Sequence, residues 1–227
     1  GKRETAYTQY EYVMKDIKKK HDKYDQGVLG LTQCKNAKEM MANPKPYVIK
    51  NLGSIVNTPG PEYSPVITID GSALFFTAKR MRADSSNARY INIVNGQHYE
   101  DIYVSYRDKD GKWSTPTYLS FCQSRKNDAS MSVSPDGQTV FVYNDLNGGD
   151  VYYSKLEDTT FVSLEPFPAE EINSEFQESH ATISPDGNYM YFVSDREGGM
   201  GGKDIYRLKK LPNGEWSKAL NLGPPIN

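Results

Sequence analysis

Three acidic residues recur at one spacing: Glu62, Asp128 and Glu178 each stand eight residues before a turn aspartate, at Asp70, Asp136 and Asp186. Each opens a segment that reads as the innermost strand of a repeated unit, so a ring of such units brings all three to one mouth of a central channel. Carboxylates gathered there make a negative rim that attracts amines or basic side chains and weakens with salt. Tyr63, His180 and Arg196 lie close by in sequence and complete the candidate ligand-binding set. A competing reading makes each carboxylate a cap on backbone N–H groups of the neighbouring blade, since a position repeated in every unit usually serves the unit.

Other chemistry finds less support. The cluster "GGMGGKD" is not a phosphate loop, because GxxxxGK[ST] needs Gly where Glu197 stands and Ser or Thr where Asp204 stands. A wide hairpin is the expectation for it. "DKDG" at Asp108–Gly111 resembles part of a calcium loop but lacks the first acidic ligand and the distal Glu, which leaves a turn. No GxSxG occurs, the three His are scattered, and neither Cys has an evident base beside it. Arg80, Arg82 and Arg196 could supply cations for sialidase-type chemistry, but the repeat belongs to another kind of protein. No catalytic residue, metal site or cofactor is expected.

The elements that must hold these residues follow from a repeat. Hairpin turns "TIDG", "SPDG" and "SPDG" end at Gly71, Gly137 and Gly187, each between an alternating strand and an apolar one. Pro presets φ, Gly tolerates φ > 0 and the Asp carboxylate can bond nearby N–H groups, so these turns are structural. A third strand opens at Asp101, Asp150 and Asp204, and a fourth is expected around Trp113, Phe161 and Trp216. Four short antiparallel strands at a period near fifty residues predict a mainly β fold made of β-propeller blades. "NLGSIVN" at Asn51–Asn57 returns as "NLGPPIN" at Asn221–Asn227, which reads as three blades and the start of a fourth in an incomplete ring. On that basis Asn227 is not expected to be a native C-terminus.

Blade one is irregular. Asp70 and Asp101 are 31 residues apart, against 14 for Asp136 and Asp150 and 18 for Asp186 and Asp204. The excess, Met81 to Tyr99, is an insertion between the second and third strands that should carry a short hairpin and is a candidate recognition loop.

Residues 1–46 read as a short helical hairpin, with Ala6, Tyr10, Val13, Ile17 and Tyr24 along one helix face and a second helix from about Gln26 to Ala42, stopped by Asn43-Pro44-Lys45-Pro46. Residues 47–227 make the propeller. With 37% hydrophobic and 25% charged residues the 227-residue chain can bury a core. A net charge of -2 argues against nucleic acid as a partner, and no apolar stretch suits a membrane span. Gly1 reads as a processing boundary, and Cys34 and Cys122 are two isolated thiols.

From Ser184 onward, "SPDGNYMYFVSDREGGMGGKDIYRLKKLPNGEWSKALNLGPPIN" resembles the SPDG-type propeller repeat of TolB, in the form found in OmpA-family proteins of Bacteroidetes. "CKNAKEMMANPKPYVIKNLG" is similar to the join between a tetratricopeptide-type helical domain and such a propeller. The resemblance implies a non-catalytic protein-interaction scaffold in the periplasm, associated with the outer membrane in a complex such as the type IX secretion system. It implies protein or peptide partners of an envelope complex, and peptidoglycan contact only through a domain absent from this sequence. An alternative is the substrate-gating propeller of a hydrolase whose catalytic domain lies elsewhere.

Overall fold

The computed structural model describes residues 2–145 and 148–227, with side chains from residue 4 onward. It divides into two compact units, Gly1–Lys50 and Asn51–Asn227.

The first unit is the hairpin of α1 (Lys2–Asp16) and α2 (Tyr24–Ala42). Tyr24 opens α2 instead of extending the face of α1, because the chain turns at His21, whose carbonyl accepts the Tyr24 N–H at 3.0 Å. The helices approach at glycines. A Cβ added at Gly30 would lie 2.5 Å from the Tyr10 ring, and one at Gly27 would meet the Met14 sulfur.

The second unit holds three antiparallel meanders. Blade one runs β1 (Glu62–Ile67), β2 (Ala73–Ala78), β3 (Asp101–Tyr106) and β4 (Thr117–Tyr118). Blade two runs β5 (Asp128–Val133), β6 (Thr139–Asn144) and β7 (Asp150–Glu157), whose two ends pair separately with β8 (Thr160–Phe161) and β9 (Glu165–Pro166). Blade three runs β10 (Glu178–Ile183), β11 (Tyr189–Ser194), β12 (Asp204–Lys209) and β13 (Leu220–Asn221). The inner strands touch in the order β1, β5, β10, and no comparable contact joins β10 back to β1 among the described residues. The blades form an open arc.

The three turns are nearly identical. Asp70, Asp136 and Asp186 each accept the N–H two residues on at 3.0 Å, and Gly71, Gly137 and Gly187 take φ of 70°, 71° and 70°. Each carboxylate also accepts a hydroxyl from the end of the inner strand, Thr68, Ser134 or Ser184. These donors hold Asp70 and Asp186 down to a pKa of about 2.

Strand alternation sends successive side chains to opposite blade faces, so the second strand of the middle blade serves two seams. Val140 and Val142 pack with Phe75, Val104 and Phe161 toward blade one. Phe141 packs with Met190, Phe192 and Leu208 toward blade three. Near the inner strands the seams turn polar: Ser130 donates its N–H to Thr77 and its hydroxyl to the Ser64 carbonyl, and Ser132 donates to the Ala181 carbonyl at 2.7 Å.

Two details depart from the sequence expectation. Trp113 and Trp216 do not lie in the fourth strands; each makes an isolated bridge in the return hairpin, to Arg107 and Lys210. Just beyond them the Ser114 and Ser217 hydroxyls accept the Tyr106 and Lys209 N–H groups, which interrupts the ladder before the short fourth strand resumes it. Phe161 belongs to β8, and the fourth strand proper of blade two is β9.

The segment Asn221–Asn227 closes blade three. Asn221 accepts the Gly223 N–H, the chain turns, and the Asn227 carboxamide takes both the N–H and the carbonyl of Ile205, at 2.8 and 2.9 Å. Asn173 embraces Val151 of blade two in the same way, at 2.8 and 2.9 Å. In blade one the Cys122 sulfur accepts the Ile102 N–H instead. Asn51–Asn57 makes the same turn as Asn221–Asn227, but among the described residues Asn57 has no third strand to hold. Asn173→Ala should therefore lower unfolding stability by about 1–3 kcal/mol, since two backbone partners lose their bonds. Asn57→Ala should change it by less than about 0.5 kcal/mol. Urea titration of the two variants against the parent chain checks the contrast, and equal losses would refute it.

Candidate functional site

The three repeated carboxylates turn inward. Glu178 is fully buried and accepts the Ser174 N–H at 3.2 Å, the Ser174 and Ser194 hydroxyls at 2.8 Å each, and Arg196 Nη2 at 3.2 Å. Glu62 repeats the pattern with the Thr58 N–H at 3.1 Å and the Thr58 hydroxyl, while Arg80 stands 4.0 Å away. Asp128, 1% exposed, accepts the Gln123 N–H and the Asn144 amide. Each acid ties the incoming linker to the end of the second strand. The charges are spent inside the chain and do not present a rim to solvent.

The cations are also engaged. Arg196 donates to the Glu171 and Ile172 carbonyls at 2.9 and 3.0 Å and lies over the stacked rings of Phe192 and Tyr206. Arg80 copies this over Phe76 and Tyr103, with its donor aimed at the Val56 carbonyl at 3.4 Å. At the matching point of blade two the sequence has Leu146, which lies outside the described residues. There the corresponding Cys122 carbonyl is met by Arg82, which reaches over from the blade-one insertion at 2.9 Å. That Leu in place of Arg is the only sequence signal for the role of Arg82.

Arg82 is also the anchor of the insertion. It is 4% exposed, makes a two-pronged pair with Asp101 at 2.8 and 2.5 Å, and lies 4.1 Å over the Tyr118 ring. Asn87, equally buried, accepts the Arg82 N–H and donates to the Arg80 carbonyl. From this base rises the expected hairpin, bridged at Ile91 and His98, whose tip exposes Ile93 at 97% and Val94 at 89%.

The two other loops are turns. In "GGMGGKD" the Asp204 carboxylate accepts the Met200 and Gly201 N–H groups and the Asn221 amide. A Cβ at Gly199 would collide with that carboxylate, which is why glycine stands there. In "DKDG" the Asp108 carboxylate accepts the Asp110 and Lys112 N–H groups.

Tyr63 is half-buried, and burial, followed by a hydrogen bond to Glu100, raises its pKa well above the ordinary phenol value. Of the six candidate residues His180 alone has an exposed side chain. Its register places it on a surface that the sequence reading missed. His180 pairs with Val193 and Val193 with Ile205; Thr182 pairs with Tyr191 and Tyr191 with Arg207. Paired residues share a face, so these two rows form one open side of blade three, with Arg207 5.1 Å over Tyr189. The matching positions Phe75 and Phe141 are 2% exposed, and Ile102 and Val151 fully buried, because a neighbouring blade covers them. Tyr191 and Ile205 remain half-exposed.

No family model and no curated protein sequence matches the chain. Among solved structures it is similar to TolB from Acinetobacter baumannii, at 20% identity and TM-score 0.44, covering 72% of this chain and 33% of that one. It is also similar to prolyl oligopeptidase B from Galerina marginata, at 15% identity and TM-score 0.44, covering 70% and 19%. A third is the periplasmic gluconolactonase PpgL of Pseudomonas aeruginosa, at 16% identity and TM-score 0.38, covering 66% and 39%. This chain spans well under two thirds of the length of each.

Burial raises Asp128 to a pKa of about 6, with the nearby Asp101 and Asp145 charges adding to it and the Asn144 and Gln123 hydrogen bonds opposing it. A carboxyl raised in the folded state favours folding fully only below its unfolded pKa, and that contribution is lost as pH rises through about 6. The parent chain should therefore lose up to about 3 kcal/mol relative to Asp128→Asn between pH 4 and pH 7. Denaturant titrations of both proteins across that range test this. Parallel stability curves would exclude it.

Proposed function

We propose that this chain is a non-catalytic protein-interaction scaffold of the bacterial periplasm, working in an outer-membrane-associated complex. The sequence resemblance to OmpA-family proteins with tetratricopeptide-type helices points to the kind of complex that PorE serves in type IX secretion. The observation that carries the scaffold reading is how the repeat spends its charged side chains: Glu62, Asp128, Glu178, Arg80, Arg82 and Arg196 hold linkers and strand ends inside the unit, which builds a rigid support. The side of blade three with His180, Tyr191, Ile205 and the stacked Arg207 carries residue types that protein surfaces cover, as a neighbouring blade covers the matching sides of blades one and two. His180 sits at the inner edge of that side, so the channel mouth contributes to binding through this residue and not through the buried acids.

The test replaces the centre of the surface. Tyr191→Glu should keep the thermal midpoint of the parent, because the side chain is already half-exposed. Crosslinking and mass spectrometry in a bacterial envelope should show partner crosslinks through Lys203 and Lys209 that fall about tenfold in the variant. Unchanged partners in Tyr191→Glu, or peptide hydrolysis by the purified chain, would defeat the reading.

A further inference from the structure

The insertion of blade one ends in a shape that neither blade packing nor the open side of blade three uses. Its tip makes the hairpin's own hydrogen bonds: Asn92 N–H to the Gln97 carbonyl, Gly96 N–H to the Asn92 carbonyl, and Val94 N–H to the Asn92 side chain. The Asn92, Val94 and Gly96 backbone donors are thus satisfied within the hairpin itself. The side chains carried outward are Ile93 and Val94, at 97% and 89% exposure, in a turn otherwise made of Asn92, Asn95, Gly96 and Gln97. Two β-branched aliphatic side chains are held in water where a polar pair would close the turn as well.

The hairpin itself has one sign. From Ser85 to Tyr99 there is no carboxylate, while Arg89 is exposed. Arg125, also exposed, lies 4.8 Å over the Tyr90 ring, and the adjoining Asn127 accepts the Glu100 N–H, which sets Arg125 and Lys126 beside the foot of the loop. Of the acids nearby, Glu100 pairs with Lys79 at 3.0 Å and Asp101 holds Arg82, while Asp84 and Asp145 accept bonds from the neutral Tyr118 hydroxyl and Asn127 amide and keep their charge.

We infer that this hairpin is a membrane finger, with Ile93 and Val94 entering the apolar edge of an anionic lipid surface and Arg89, Arg125 and Tyr90 meeting its headgroups. Aliphatic tips, an aromatic ring at headgroup level and a cationic collar are the three features that interfacial binding uses. A protein pocket is the weaker occupant, because a convex tip of two side chains supplies only a fraction of the roughly 800 Å² per partner of a stable protein interface. The buried base suits the task. Arg82, Asp101 and Asn87 fix the loop before contact, so little ordering is left for binding.

The experiment uses the whole chain and large vesicles of phosphatidylethanolamine with phosphatidylglycerol, or of phosphatidylcholine alone. Co-sedimentation with the anionic vesicles is expected, weakening in high salt, and the double variant Ile93→Asp/Val94→Asp should bind at least about tenfold less. Arg89→Glu/Arg125→Glu should lose the preference for the anionic vesicles. Thermal unfolding of both variants should match the parent, which separates lost binding from lost fold. Failure of the parent chain to sediment, or equal sedimentation of the Ile93/Val94 variant, would overturn the proposal. So would a tip that leaves vesicles alone but is needed to retain a protein from the envelope.

Discussion

Every blade here is a thin, twisted sheet with apolar residues on both faces, and covering those faces against a neighbour is what stabilises it. That demand orders the structure. Val140 and Val142 need blade one, Phe141 needs blade three, and neither seam forms without its neighbour. Because the seams are apolar and non-directional, they do not by themselves set the angle or register between blades. The polar groups near the inner strands do, through directional bonds such as Ser130 to Thr77 and to the Ser64 carbonyl.

The repeated acids belong to the same solution. A carboxylate as buried as that of Glu178 is tolerable only when donors surround it, and a serine N–H, two hydroxyls and a guanidinium do so. In exchange the linker between blades is held at a fixed point. Asp128 has poorer support, from one amide and one long backbone bond, and burial pushes its pKa up against them. Blade two compensates by borrowing Arg82 from blade one, so the insertion is fastened into the seam that it overhangs.

What could be read from the sequence was what is local. The turns at Asp70, Asp136 and Asp186 and the strand alternation depend on residues two to five apart, and they appear as expected. The hairpin within the insertion was also legible, from the excess length alone. The fate of the acids was not, because the spacing that suggested a rim is equally the spacing that lets each carboxylate reach back four or five residues to a linker N–H. Trp113 and Trp216 were placed in strands because serine hydroxyls that interrupt a ladder leave no periodic mark. The open side of blade three was invisible for a different reason. Tyr191 occupies the same repeat position as Phe75 and Phe141, and only the arrangement of whole blades tells a covered face from a bare one.

Among the described residues each blade packs on its successive neighbours, and such a one-dimensional array lets each unit draw its stability from the seams it touches. Blade two touches two seams, while blades one and three each touch one of these two. The amides of β6 and β7 should thus be the slowest in this chain to exchange with solvent. The blade with the least supported acid is the one whose surroundings should open last, so the cost of burying Asp128 falls in the most protected part of the array.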